Sequence, residues 1–354
     1  MKTVLILFFF LATNFVSAQT AQDFAEKGYK EINSGDYTSA IQSFTKAIQL
    51  EPTTAWFYHD RAISYDAIGK YQDAITDFNK EISIEKTASA YNGIGITYTN
   101  LKKFNDAISF FNKSLALDKN NDETYYDLGY AYGNLKDYNN AIKNFNESLK
   151  INPTNEKSLF GISTTYISLK KYSEALIYIN RMEKINPKDL EITNYKATCL
   201  YETQKFSEAS LEYSKLITAN PENTTLLSQR AACYHFTDKS NEAIKDYTSL
   251  LALVKKTSSK FLISQTYYFR AEEYAKTEKY QNALDDYNEY LQANQTDAVG
   301  LFYRAHCKLK LNQKASACAD YESAIRNGFK NSDTYKTIMK NYPNDIAKDF
   351  GSCK

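Results

Sequence analysis

The chain is poor in residues that break helices. Its 354 residues include 11 glycines and 5 prolines, too few for a turn-rich β fold, which spends both at its many tight turns. Histidine is scarcer still. His59, His235 and His306 lie far apart, whereas a metal site or a catalytic triad needs such groups to converge. No glycine-rich phosphate loop, GxSxG, HExxH or CxxC occurs, so no catalytic residue, cofactor or metal site is expected. Charge of one sign is missing too. The 43 basic and 42 acidic residues leave a net charge of +1, which builds no field for nucleic acid. Nor is there an apolar run of the roughly 20 residues that a membrane span needs.

One shorter apolar run does occur, at the start. Lys2 precedes Val4 to Ala12, Thr13 and Asn14 end the stretch, and Val16-Ser17-Ala18 places small residues ahead of Gln19. That is the pattern of a secretory signal. Residues 1–18 are therefore expected to be removed, leaving an exported chain, periplasmic or extracellular, with no integral span. No cysteine follows the expected cut, so lipid anchoring is not indicated.

What is abundant is aromatic: 30 tyrosines and 20 phenylalanines against one tryptophan. They recur at fixed places. The blocks beginning at Tyr37, Tyr138 and Tyr172 are alike, and anchoring on one alanine of each block gives Ala40, Ala74, Ala107, Ala141, Ala175, Ala209, Ala243, Ala283 and Ala317. The spacing is 34 residues, once 33 and once 40. Twelve residues before each alanine stands a small residue, such as Gly28, Gly95, Gly129 or Ala271; four after it stands a bulky one, such as Phe44, Phe111, Phe145 or Tyr287. A spacing of four is one helical face. Pro52, Pro153, Pro187 and Pro221 all sit twelve residues after the alanine, where a second helix must end. The pattern predicts two antiparallel helices per repeat.

A 34-residue helix-turn-helix period with these residues resembles the tetratricopeptide repeat family. The resemblance runs from about Ala21 to Phe329, and the tyrosine three after the small residue recurs as Tyr65, Tyr98, Tyr132, Tyr166, Tyr234 and Tyr274. It implies an all-α, right-handed α-solenoid of about nine stacked repeats over residues 19–330, near 21–54, 55–87, 88–121, 122–155, 156–189, 190–223, 224–257, 264–297 and 298–330. A C-terminal cap, 331–354, follows, with Ser332 starting a short helix that runs to Tyr342. Glu31 and Lys308 replace the tyrosine in the end repeats and read as polar, solvating ends. The 40-residue gap adds a polar stretch near Lys255 to Lys260, expected as a loop over 255–263.

One pair of positions covaries within the chain. Arg61, Arg230, Arg270 and Arg304 are each followed sixteen residues later by Asp77, Asp246, Asp286 and Asp320, and Lys196 by Glu212. Where the first position is Ile94, Leu128 or Ile162, the second is Phe110, Asn144 or Tyr178. Contact across the helix hairpin is the simplest cause, so five structural ion pairs are expected. Among the cysteines, Cys199, Cys233 and Cys307 share one position of the first helix and read as small buried thiols. Cys318 and Cys353 are placed either to bridge or to remain thiols.

By the resemblance, the first helices line a concave surface through positions two, five, nine, twelve and thirteen of each repeat. There the chain carries Trp56, His59, Tyr126, Tyr130, Phe160, Tyr201, His235, Phe236, Tyr268 and Phe302, among Asn92, Asn134, Asn194, Thr164 and Ser228. The family's clamps for acidic tails use Lys and Asn at positions five and nine. Here those positions hold His59 with Ile63, Asn92 with Ile96, and Tyr126 with Tyr130, so that clamp is absent. The lining suits a protein or extended peptide segment of an envelope complex. A compact glycan or small-ligand pocket around Tyr126, Tyr130 and Phe160 is the alternative.

Overall fold

The computed structural model describes residues 19–257, 260–341, 350–351 and 353. The export signal expected over 1–18 lies outside the described residues. Among those described, eighteen α-helices form nine antiparallel pairs, followed by a 3-10 turn and one further helix, with no strand. This is an all-α repeat solenoid. It divides into two compact units, 1–165 and 166–354.

In the first unit, α1 (Ala21–Asn33), α2 (Tyr37–Leu50), α3 (Ala55–Ala67), α4 (Tyr71–Ile84), α5 (Ala88–Asn100), α6 (Phe104–Leu117), α7 (Asp122–Asn134) and α8 (Tyr138–Ile151) pack in chain order. The first helices of successive repeats also meet, α3 with α5 and α5 with α7. Side chains of Thr20, Asp36, Thr87, Asn121 and Asp137 accept hydrogen bonds from backbone amides at helix starts, closing donors that would otherwise be orphaned. Inside each hairpin the small residue meets the bulky one. Phe44, Phe78, Phe111 and Phe145 are essentially fully buried. A Cβ on Gly129 would stand 2.7 Å from the Phe145 ring, so glycine there sets how closely α7 and α8 approach.

The second unit repeats the plan. α10 (Tyr172–Ile185), α11 (Leu190–Glu202), α12 (Phe206–Ala219), α13 (Thr224–Phe236), α14 (Ser240–Thr257), α15 (Lys260–Lys276), α16 (Tyr280–Ala293), α17 (Ala298–Lys310) and α18 (Lys314–Arg326) pack consecutively. Tyr213 and Tyr287 replace phenylalanine as fully buried rings. The prolines fall two residues past the last turn of α2, α8, α10 and α12, as the pattern requires.

The expected loop over 255–263 is a correction. The extra length mostly extends helices: α14 has 18 residues and α15 has 17, against 14 in α16 and 13 in α17. Val254, in the added turn of α14, is buried, as are Leu250, Leu251, Ser264 and Thr266 near it in sequence, and such burial outweighs polar composition. Of this stretch, residues 258–259 lie outside the described residues.

Every hairpin turn carries one left-handed residue. Gly35 and Gly69 do so at φ 81° and 77°, but the next seven are Lys102, Lys136, Lys170, Gln204, Asp238, Glu278 and Asn312, at φ 54–61°. At Lys136 the amide donates to Gly133 O at 2.9 Å, and Asp137 N donates to Tyr132 O at 3.0 Å. These two bonds close the helix end in a Schellman arrangement and impose the left-handed backbone on an L-residue, at a cost. Lys136→Gly is therefore expected to stabilise the chain by about 0.5–1 kcal/mol, read as a raised midpoint in urea.

The C-terminal segment covers the last repeat. Ser332 Oγ accepts from Tyr335 N at 3.0 Å and starts α19 (Asp333–Asn341); the expected end at Tyr342 lies outside the described residues. The segment is an apolar lid rather than a solvating one. Phe329 and Phe350 are buried; Phe329 stacks on Phe302 at 4.2 Å and Phe350 on Tyr321 at 4.4 Å. Cys318 and Cys353 form a disulfide, and Cys199, Cys233 and Cys307 are free and buried.

Candidate functional site

The five covarying pairs are all made. Arg61 grips Asp77 through Nε at 2.7 Å and Nη2 at 2.8 Å. Arg230–Asp246, Arg270–Asp286 and Arg304–Asp320 repeat this bidentate geometry, and Lys196 Nζ lies 3.1 Å from Glu212 Oε1. Each arginine has a third partner on the second helix of the preceding repeat: Thr45, Ser214, Thr248 or Asn288, at 3.0–3.1 Å. The pair thus fastens repeat to repeat as well as helix to helix. The recurrent tyrosine serves it too, since the guanidiniums of Arg61, Arg230 and Arg270 lie 5.5–5.8 Å from the rings of Tyr65, Tyr234 and Tyr274.

Glu31 and Lys308, expected as solvating ends, are mostly buried partners at the tyrosine position. Ser43 Oγ donates to Glu31 at 2.6 Å, and Lys308 Nζ meets Asp320 at 2.7 Å. Without a ring there, a charge reaches the buried polar group on the second helix.

In the first unit the ninth position of α1, α3, α5 and α7 holds a row of half-open apolar side chains. Tyr29, Ile63, Ile96 and Tyr130 are 43, 40, 38 and 47% exposed. Trp56 lies parallel to Tyr29 at 5.9 Å, adding one more half-open ring. Tyr126 packs on Phe145 and tilts 34° from Tyr130. Phe160 is half-buried on α9 (Glu156–Ser168).

A groove of about 450 Å³ opens between α3 and α5. Ile63 and Ile96 form its apolar walls, with Phe78, Gly93 and His59 below. His59 is held by Glu81, Nδ1 to Oε2 at 2.8 Å, and its ring meets Phe78 edge-on at 5.4 Å. Burial pushes His59 down, but the hydrogen bond and charge of Glu81 outweigh it and raise its pKa. Asn92 Nδ2 donates to Thr124 Oγ1 and Asp127 Oδ2, each at 3.1 Å. Burial pushes Asp127 up to about 6. Asp118, Asp122 and Glu123 also line the groove. Sequence reasoning missed these carboxylates because two of them lie at a helix junction and start rather than on the expected lining.

In the second unit the predicted residues divide. Phe236, 55% exposed, stacks on Phe206 at 4.4 Å, and Tyr201 meets Phe206 edge-on at 5.3 Å. His235 is tied through Nδ1 to the fully buried Glu273, which also pairs with Lys276 at 2.9 Å. Burial alone would raise Glu273, but hydrogen bonds from His235, Ser240 and Lys276 hold it at about 2. Glu273 occupies the position where other repeats place Ser64, Thr97 or Cys233, and no sequence signal marked it. Tyr268 is half-buried and packs against Tyr287, Tyr290 and Tyr303. One residue expected as lining is corrected. Phe302 is buried beneath Phe329 and Phe350, because the last repeat's open end is covered by the chain's own terminus.

Comparison with known proteins adds to this geometry. The family described as Tetratricopeptide repeat matches residues 26–54, and nine helix pairs continue that unit. The chain is a tetratricopeptide-repeat protein. The family described as Anaphase-promoting complex, cyclosome, subunit 3 matches residues 100–182 of this repeat protein. The Protein STIP1 homolog of Dictyostelium discoideum is 38% identical over 69 residues, 20% of this chain and 12% of that one. Hsp70-Hsp90 organizing protein 3 of Arabidopsis thaliana is 40% identical over 57 residues, 16% of this chain and 10% of that one. The repeat protein thus spans about a tenth of the length of these relatives. PilW, titled a widely conserved type IV pilus biogenesis factor, shares the fold at TM-score 0.51 and 16% identity, over 58% of this chain and 96% of that one. Tetratricopeptide-repeat proteins bind protein or peptide partners and are typically non-catalytic. Among the described residues of this one, no helix is long and apolar enough to cross a membrane.

Proposed function

We propose that the chain is an exported, non-enzymatic adaptor of the cell envelope that holds a partner protein on the inner face of its first helices. The observation that carries this reading is the half-open strip of Tyr29, Trp56, Ile63, Ile96 and Tyr130, beside a 450 Å³ groove in the first unit. Isolated exposed apolar side chains are ordinary, but a strip repeated at one position of successive helices is the form of a partner surface. Export draws support from the signal-like residues 1–18 and from the Cys318–Cys353 disulfide, since such bonds persist in oxidising compartments. The glycan-receptor alternative draws less support, because Tyr126 is turned onto Phe145 rather than presented as a platform.

Affinity capture tests the reading. The chain from Gln19 onward is expected to retain one protein from an envelope extract, reproducibly, and to lose it by at least about tenfold when Ile96 and Tyr130 are both replaced by alanine. Retention that survives the double replacement, in a chain that remains helical, would remove this face as the binding surface.

A further inference from the structure

The groove between α3 and α5 is lined by both apolar and anionic side chains. Ile63, Phe78 and Ile96 are its apolar residues and Asp118, Asp122 and Glu123 its anionic ones, and no lysine or arginine lines it. We propose that this groove takes an extended peptide segment of the partner in which an apolar side chain and a Lys or Arg stand two residues apart. The inference rests on the adaptor reading and names the chemistry that its site accepts.

The geometry argues for it in three ways. First, the volume of about 450 Å³ lies in the range of pockets that enclose side chains or small ligands. Gly93 lets the Phe78 ring close against α5, since a Cβ there would run into that ring. Second, the groove's own charges are not used up. Glu123 is 65% exposed, with Lys157 only at 3.5 Å. Asp118 accepts one backbone N–H, from Asn120 at 2.9 Å. Asp122 is engaged with Asn152 and Asn155 through Oδ2, which neutralises nothing. Each carboxylate keeps lone pairs for a cation. Third, an acidic segment would meet like charge here and be rejected, and the neutral Asn92 amide is already committed to Thr124 and Asp127.

Extension of the segment follows from the layout. In an extended chain residues i and i+2 point to one side, about 7 Å apart. An apolar and a basic side chain at that spacing would enter the one groove together, the first for Ile63 and Ile96 and the second for its carboxylates. The chain as a whole carries a charge of only +1, so a preference for a basic peptide cannot come from its global field.

Two fluorescein-labelled decapeptides test it, with Leu and Lys alternating at every second residue among serines, or Leu and Glu in the same places. Fluorescence anisotropy with the chain from Gln19 onward is expected to show the Lys peptide bound at least tenfold more tightly at low salt, with the advantage shrinking as salt is added. Asp118→Asn with Glu123→Gln should bring the two peptides to within about twofold of each other. Ile96→Ala should weaken the Lys peptide about fivefold, through lost apolar contact. Equal or tighter binding of the Glu peptide overturns the proposal, as does a Lys preference that survives the double neutralisation. Both peptides bound equally and both lost in Ile96→Ala would overturn the basic specificity and leave the adaptor reading standing. No binding of either peptide by a helical chain overturns the inference alone, since capture decides the adaptor reading separately.

Discussion

Arg270→Met lowers stability by about 3–5 kcal/mol, whereas Arg270→Met combined with Asp286→Leu loses clearly less. The single replacement strands the Asp286 carboxylate, which is 4% exposed and takes both its strong hydrogen bonds from Arg270. An ionised group left there has neither water nor a partner. It also frees Thr248 on the preceding repeat and removes a cation from between Tyr267 and Tyr274. The double replacement removes the stranded charge, and two apolar side chains of similar reach fill the space between those rings. Urea unfolding of the two variants checks the ordering. Equal losses would mean that the pair contributes nothing as a pair, and that the covariation has another origin.

Phe111→Ala is expected to cost about 3–5 kcal/mol. Phe111 is fully buried in a cluster with Ala107, Leu115, Leu128 and Ala131, and its ring lies over Gly95 of the facing helix. The surrounding helices are held by further contacts on both sides, so the space left by the ring cannot collapse. In a repeat array each unit is supported mainly by its neighbours, so hydrogen exchange should accelerate first in α5 to α8. A companion pair sharpens the test. Phe111→Leu with Gly95→Ala should be less destabilised than Phe111→Leu alone, because the new methyl partly fills the shortened side chain's space and improves helix propensity. No difference between those two variants would show that the small and bulky positions are not coupled.

The ion pairs and the small-to-bulky contact were legible because each repeat solves the same packing problem. Nine solutions in one chain act as an internal comparison, and Arg61 with Asp77 or Gly95 with Phe111 stand out by recurrence. What recurrence cannot mark is a feature that occurs once or that belongs to the backbone. The left-handed turn residues after Gly35 and Gly69 have no common side chain, since hydrogen bonds at the helix end impose the conformation on Lys102 or Glu278 alike. Glu273 occurs in one repeat only, at a position that holds Ser64, Thr97, Ala131, Thr165 or a cysteine in most others, and it pairs with His235 from the preceding repeat. Of the predicted lining, Trp56, Tyr130 and Phe236 are open, while Phe302 is packed away, because exposure depends on what comes next in space.

The sequence by itself determined the period, the two helices of each repeat, the faces they bury and the pairs that join them, since all of these follow from residue spacing on a helix. The tertiary structure alone decided the rest. It carried α14 and α15 past the length of the helices that follow, and it brought the C-terminal Phe350 over Phe302 and Tyr321. It also brought the carboxylates of Asp118 and Glu123 into one groove with Ile63 and Ile96. Those meetings join residues from different repeats and connections, and only the stacking of one helix pair on the next brings them within reach.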